Sequence, residues 1–305
     1  MLRFILKRLL EAVPVLFVVA TLAFFLARFA PGGPFDEERA LPPNVKAQLA
    51  AHYGLDKPLG EQYLLFLKNL ARGDLGPSYK YHGWDVDELI ADRIPTSLAL
   101  GAGALAIALA LGIPLGAAAA MRPDSAADRL LTGAATLGIC LPTFVVGPLL
   151  VLLFSNALGW LPASGWNAPA DFVLPAATLG SAYAAPVARL MRASMLEVRA
   201  QDYMKTAKAK GLSPARIYFV HGLRNALLPV VTYVGPTAAG LISGSFVVES
   251  MFNVPGLGQF FVKAAFNRDF TMIVGTVLFY AAVLVALNLL AEIALVKLNP
   301  RLKYE

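Results

Sequence analysis

Polar and apolar positions along this chain fall into long blocks. They show neither the alternation of a surface strand nor the single stripe of a surface helix. Glu11 and Arg28 enclose 16 uncharged residues, Arg93 and Arg122 enclose 28, and Arg129 and Asp171 enclose 41. A bilayer span needs about 20 apolar residues. The first block reaches that length with its flanks Leu9, Leu10 and Phe29, and the second has it outright. The third is too long for one helix, and its second half, with NALGWLPASGWNAP (156–169), is rich in turn residues. The pattern therefore predicts a third span at about 130–154 and then an interfacial loop with Trp160 and Trp166 at headgroup level. A shorter fourth span over 172–188 ends at Arg189, and the fifth and sixth cover 225–248 and 270–291. Lipid offers backbone groups no partners, so such spans must be helices, with prolines such as Pro114, Pro148, Pro175 and Pro186 tolerated as kinks. Gly112/Gly116 and Gly240/Gly244 have the spacing that lets helices approach closely. The expected fold class is an all-α polytopic membrane protein with six transmembrane helices. Phe29-Ala30-Pro31 is a poor cleavage site, so the first block reads as a retained helix.

Composition agrees with this reading. Hydrophobic residues make up 57% and charged residues 15%, against about 25% charged in a soluble domain; mean hydropathy is +0.62. Charge also orients the chain. With the N-terminus inside, the inner segments hold Arg3, Lys7 and Arg8, Arg122 and Arg129, the cluster Arg192–Arg224, and the tail Lys297, Arg301 and Lys303. Residues 192–224 carry seven basic and two acidic residues, whereas the outer segment 31–95 carries seven basic and ten acidic. Both termini are then cytoplasmic. The expected organisation is 1–30 as cytoplasmic N-terminus and first span, 31–94 as a structured periplasmic loop, and 95–305 as a core with a cytoplasmic loop at 192–225. The outer segment is too long for a simple connector. Its helix signals end at Gly54 and Gly73 and restart at Asp85 and Glu88. It reads as an ordered cap, as a docking surface for an extracytoplasmic partner, or as both.

Much chemistry is missing. No glycine immediately precedes a lysine, so there is no Walker phosphate cradle, and neither HExxH nor GxSxG occurs. His52, His82 and His221 lie far apart without ligand spacing, so no metal site is expected. Cys140 reads as a small buried hydrophobe. Carboxylates are nearly absent from the spans, whereas an ion-coupled carrier would place ionisable groups or broken helices near the midplane. The chain offers a path without an engine, so energy is expected from another subunit and no catalysis from this one.

QDYMKTAKAKGLSPARIYFVHGLRNALLP (201–229) is the exception among these greasy walls. Good helix formers precede Gly211, which suits a left-handed C′ position. Ser213 is a natural N-cap and Pro214 a natural first residue of a second helix, 214–224. A DNA-binding helix-turn-helix must protrude into a groove, but this hairpin is pinned by spans at both ends, so no nucleic-acid partner is expected. A positive-inside loop explains its charge and not its break. The remaining reading is a stiff knob that fits a groove on a motor protein and moves the fourth and fifth spans.

This stretch resembles the cytoplasmic loop of ABC-importer permeases, in their peptide-transport branch. MLRFILKRLLEAVPVLF, FAPGGPF (29–35), GLDKPLGEQY (54–63), GDLGPSYKY (73–81), DELIADRIPTSLALG (87–101), VVESMFNVPGLGQ (247–259), NRDF (267–270) and NPRLKY (299–304) resemble it too, covering essentially the whole chain. LPPNV (41–45), GPSYKY (76–81) and LPASGWN (161–167) are most similar to the B-type subunits of the oligopeptide subfamily. The resemblance implies type I importer architecture and a heteromer in the bacterial inner membrane. The partners would be a second, C-type permease, two ABC ATPases that bind ATP and Mg, and a periplasmic or extracellular peptide-binding protein. It implies ATPase coupling through Tyr203, Thr206, Ala207, Lys208, Gly211, Leu212, Ser213 and Pro214. Where general permease loops read Glu-Ala-Ala before the glycine, this chain has Lys205-Thr206-Ala207, so no carboxylate contact carries over. Glu249, Pro255, Gly256 and Gly258 mark either a gate-like re-entrant loop or a plain outer turn. A self-contained carrier or channel and a membrane-anchored ligand-binding scaffold are the competing functions. A carrier would transport alone, a scaffold not at all.

Overall fold

A computed structural model describes residues 2–35, 42–81, 83–243 and 246–298. The expectations placed on His82, Gly244, Arg301 and Lys303 lie outside the described residues. In chain order the helices are α1 (Leu2–Phe29), α2 (Pro43–His52), α3 (Leu59–Leu70), α4 (Val86–Met121), α5 (Ala126–Cys140), α6 (Thr143–Leu150), α7 (Val173–Arg199), α8 (Asp202–Ala209), α9 (Pro214–Arg216), α10 (Leu223–Ser243), α11 (Phe246–Met251), α12 (Leu257–Phe266) and α13 (Phe270–Leu298). The described residues contain no β-structure beyond an isolated bridge between Pro77 and Asp85. Runs within α1, α4 and α13, and the run beginning at Ile217, are long and apolar enough to cross a bilayer.

The third span differs from expectation. It is two helices, α5 and α6, bent by 108° at Leu141-Pro142. Pro142 supplies no N–H, and the residue before a proline is pushed out of the helical region; Leu141 accordingly has φ −86° and ψ 115°. After Pro148 the helix widens into a π turn over Val151–Ala157. The helix of the expected fourth span, α7, does not stop at Arg189 and continues to Arg199. The helix starting at Pro214 is not short either. It runs through a π turn, Ile217–Gly222, directly into α10. Cys140, expected to be buried, is exposed at the end of α5.

The chain forms two compact units, one of Met1–Ile5, Ser97–Val254 and Val283–Glu305, the other of Leu6–Thr96 and Pro255–Ala282. In the first, α4 and α7 meet through glycines. A Cβ on Gly112 would stand 2.7 Å from the Ala184 carbonyl oxygen, one on Gly180 2.6 Å from that of Ala104, and one on Gly116 would fall on the Ala188 carbonyl. Two apolar clusters lie in this unit. One includes Val187, Met191, Met195, Met204, Ile217, Ala226 and Val230. The other includes Leu100, Leu174, Leu241, Val248 and Phe252.

The second unit holds α2 and α3 of the expected outer cap. Gly54 (φ +64°) and Gly73 (φ +80°) stand beyond their ends, in the left-handed region. Its centre is Asp269, 1% exposed. This carboxylate accepts from Ser78 Oγ (2.5 Å), Lys80 N (3.3 Å), Thr271 Oγ1 (3.0 Å) and Met272 N (3.2 Å). It thereby satisfies donors in the first turn of α13 and ties down the loop at 76–81. GPSYKY and NRDF are thus two halves of one knot.

Candidate functional site

Residues 202–214 build a helix with a locked exit. On α8, Met204 and Ala207 are three apart and face inward, both buried. They join Met191, Met195 and Val198 of α7 and Ala226 and Val230 of α10 in one cluster. Burial of a methionine side chain contributes about 1.5–3 kcal/mol. The Lys205–Asp202 pair, at 70% and 95% exposure, contributes little. Apolar burial therefore seats this helix, and its charges are left on the surface.

The exit is a complete Schellman motif. Gly211 N–H donates to the Lys208 carbonyl (3.0 Å) and Leu212 N–H to that of Ala207 (3.4 Å), with Gly211 at φ +73°. Leu212 packs against the cluster that contains Ala207. Ser213 Oγ then accepts from the Arg216 N–H (3.4 Å), as an N-cap should. Thr206 Oγ1 bonds back to the Asp202 carbonyl (3.0 Å). Lys208, Gly211 and Ser213 are exposed, and Tyr203 is 40% exposed.

Two side-chain links fix this assembly, and neither was expected from the sequence. Asn225 Nδ2 donates to the Tyr203 hydroxyl (2.8 Å), joining α8 to α10. Arg192 grips Asp128 with two bonds, Nε to Oδ1 at 2.6 Å and one of its terminal nitrogens to Oδ2 at 2.7 Å, joining α7 to the first turn of α5. The Asp124 N–H also donates to Asp128 Oδ2 (2.9 Å). The signal for Asp128 was present: Ser125 and Asp128 have capping-box spacing, and Ser125 Oγ accepts from the Asp128 N–H (3.2 Å).

Tyr203 through Pro214 thus form one continuous element. Glu249 lies in α11, fully buried, and accepts from Ser97 Oγ at 2.9 Å. It stands in a short helix and not in a turn. Pro255 follows Val254 in the connection to α12; Gly256 is the extended N-cap of that helix (φ −96°, ψ 176°), and Gly258 is buried within it.

A family model described as binding-protein-dependent transport system inner membrane component matches residues 112–304, and the corresponding N-terminal model matches residues 1–101. The oligopeptide transport system permease protein OppB of Haemophilus influenzae is 47% identical over the whole of both chains. Its counterpart in Salmonella typhimurium is 44% identical, again over both whole chains. The dipeptide transport system permease protein DppB of Bacillus subtilis is 41% identical, covering 99% of this chain and 98% of that one. Among solved structures, an inward-facing MetNI methionine ABC transporter matches with a TM-score of 0.58 at 18% identity, over 69% of this chain and 96% of the other, which shows a shared fold.

Proposed function

The chain belongs to the binding-protein-dependent transport system inner membrane components, and from that premise we infer how it works as the membrane permease subunit of an ATP-driven peptide importer. It is a multi-pass protein of the inner membrane. The observation that carries the mechanism is the seating of α8, whose buried face is shared with α7 and α10 while its polar face stays free. In our reading α8 and the turn to Pro214 form a cytoplasmic knob that docks on an ATPase. Six spans with both termini cytoplasmic, residues 31–94 as a periplasmic cap, and a C-type permease completing the path belong to the same reading. Two ATPase subunits hold ATP and Mg, a peptide-binding protein delivers cargo, and this chain is non-catalytic. ATP binding closes the ATPases, the knob follows, and α7 and α10 move with it toward an outward-facing state. The coupling is a free energy shared by two sites, and ATP shifts the equilibrium only by its differential affinity for the two states.

The test is a pull-down of the tagged chain from native membranes, followed by reconstitution. A second permease and Walker-containing ATPases should co-purify, and uptake should require all of them with ATP. The chain alone moving peptides in liposomes would mean a self-contained carrier instead.

Two finer outcomes follow. Asn225→Leu removes the bond to Tyr203 while leaving the α8 cluster in place, so peptide imported per ATP hydrolysed should drop several-fold. Tyr203→Phe should do the same, and unchanged stoichiometry in both would show the bond to be idle. Reversing Lys208 and Lys210 to glutamate should weaken ATPase co-purification, and the wild-type association should itself weaken with salt. Association that ignores both salt and the reversals would remove these lysines from the docking surface.

A further inference from the structure

The unit of Leu6–Thr96 and Pro255–Ala282 holds a cavity of about 200 Å³ that coupling does not explain. Gln62, Phe66 and Asn69 recur on one face of α3 and form one wall. Gln62 Nε2 donates to the carbonyls of Leu55 (3.2 Å) and Lys57 (2.8 Å), which fixes the orientation of its carboxamide. Its Oε1 is buried and accepts no hydrogen bond. Asn69 and Tyr53 also line the cavity.

A cation faces these groups. The Arg28 guanidinium lies over the Phe24 ring (5.3 Å) and the Phe270 ring (5.4 Å) and donates to the Tyr79 hydroxyl at 3.3 Å. No carboxylate among the described residues pairs with it. Asp74, also lining the cavity, is exposed, and its Oδ1 accepts the Gly76 N–H (2.7 Å). Aromatic walls, a guanidinium that no carboxylate among the described residues pairs, and the carboxylate of Asp74 line one small space.

We propose that this cavity is a recognition site for a short zwitterionic peptide, separate from the coupling machinery. Arg28 receives the terminal carboxylate, Asp74 the ammonium group, and Asn69 and Tyr53 the peptide bond, while Phe24, Phe66 and Phe270 enclose an apolar side chain. The volume is below that of drug-sized pockets, so the ligand is one or two residues long. The proposal rests on the reading of this chain as a peptide permease, whose cap would hold a peptide outside the membrane.

The test uses the complete importer in native membranes. A dipeptide carrying photo-leucine, whose diazirine adds little bulk, is irradiated with the complex, and the labelled segments are mapped by mass spectrometry. Label is expected within 59–70 or 270–275, displaced by alanyl-phenylalanine and not by its N-acetyl amide. Asn69→Leu should lower the labelling about tenfold, as expected for loss of one good peptide contact, and Arg28→Gln should abolish it. Asn69 is partly exposed, so its variant answers the question even where Arg28→Gln fails to fold. Equal displacement by the blocked amide, labelling indifferent to Asn69→Leu, or no label in these segments while import proceeds would each overturn the site. A wild-type complex that moves no peptide would overturn the permease reading, and this site with it.

Discussion

Valine in place of Gly211 is expected to remove most ATP-driven peptide uptake while the ATPases continue to hydrolyse ATP. The cause lies in the backbone alone. A Cβ at this position would meet nothing within 4 Å, but φ is +73°, which β-branched residues adopt poorly. Holding valine there costs about 1–3 kcal/mol, enough to depopulate the turn by roughly five- to a hundredfold. Its relaxation breaks the bonds to the Lys208 and Ala207 carbonyls and loosens the seat of Met204. Asparagine tolerates the left-handed region, so Gly211→Asn should transport nearly as the wild type does, with alanine in between. Uptake measured beside ATP hydrolysis in reconstituted complexes decides the matter. Losses that follow side-chain size and ignore left-handed tolerance would point to a contact at the ATPase surface instead.

Leucine at Gly116 is the second large effect, and it concerns assembly. The added side chain would meet the Ala188 carbonyl oxygen and, at 2.8 Å, Met191 Cβ. One is backbone and the other the root of a buried side chain, so neither can swing aside. Overpacking of this kind costs about 1–3 kcal/mol or more, and here it forces α4 away from α7. A markedly lower melting temperature of the purified complex and poor accumulation in the membrane are expected. Gly133, on α5, has nothing within 4 Å of a built Cβ. Gly133→Ala should therefore leave the melting temperature unchanged or raise it slightly. Equal losses at the two positions would mean that glycine serves backbone flexibility in both, and not helix contact.

The features legible in the sequence were those written locally. Gly211, Ser213 and Pro214 carry their turn in their own covalent structure, and the geometry found there follows from it. Gly112 and Gly116 announced a close contact without naming the partner helix. The break at Leu141-Pro142 is not legible in the length of the uncharged block, because a count of uncharged residues is blind to direction. The exposure of Cys140 is hidden for a related reason, since an apolar stretch does not say which side faces other helices. Glu249 and Ser97 are 152 residues apart, and Asn225 needs Tyr203 to have meaning. Nothing within a single segment reveals such pairs. The knot around Asp269 was visible only as two resembling motifs, without the bonds that make them one object.

The π turn at Ile217–Gly222 has a geometric consequence. Such a turn behaves as an α-helix carrying one surplus residue. The wide turn absorbs that residue and keeps its flanks in register; wound as ordinary α-helix, the same residues would swing everything before the turn by about 100° around the helix axis. Tyr203 would then point away from Asn225, with every residue of the knob still present. The wide turn acts as an angular setting, fixing the azimuth of α8 about the axis of α10.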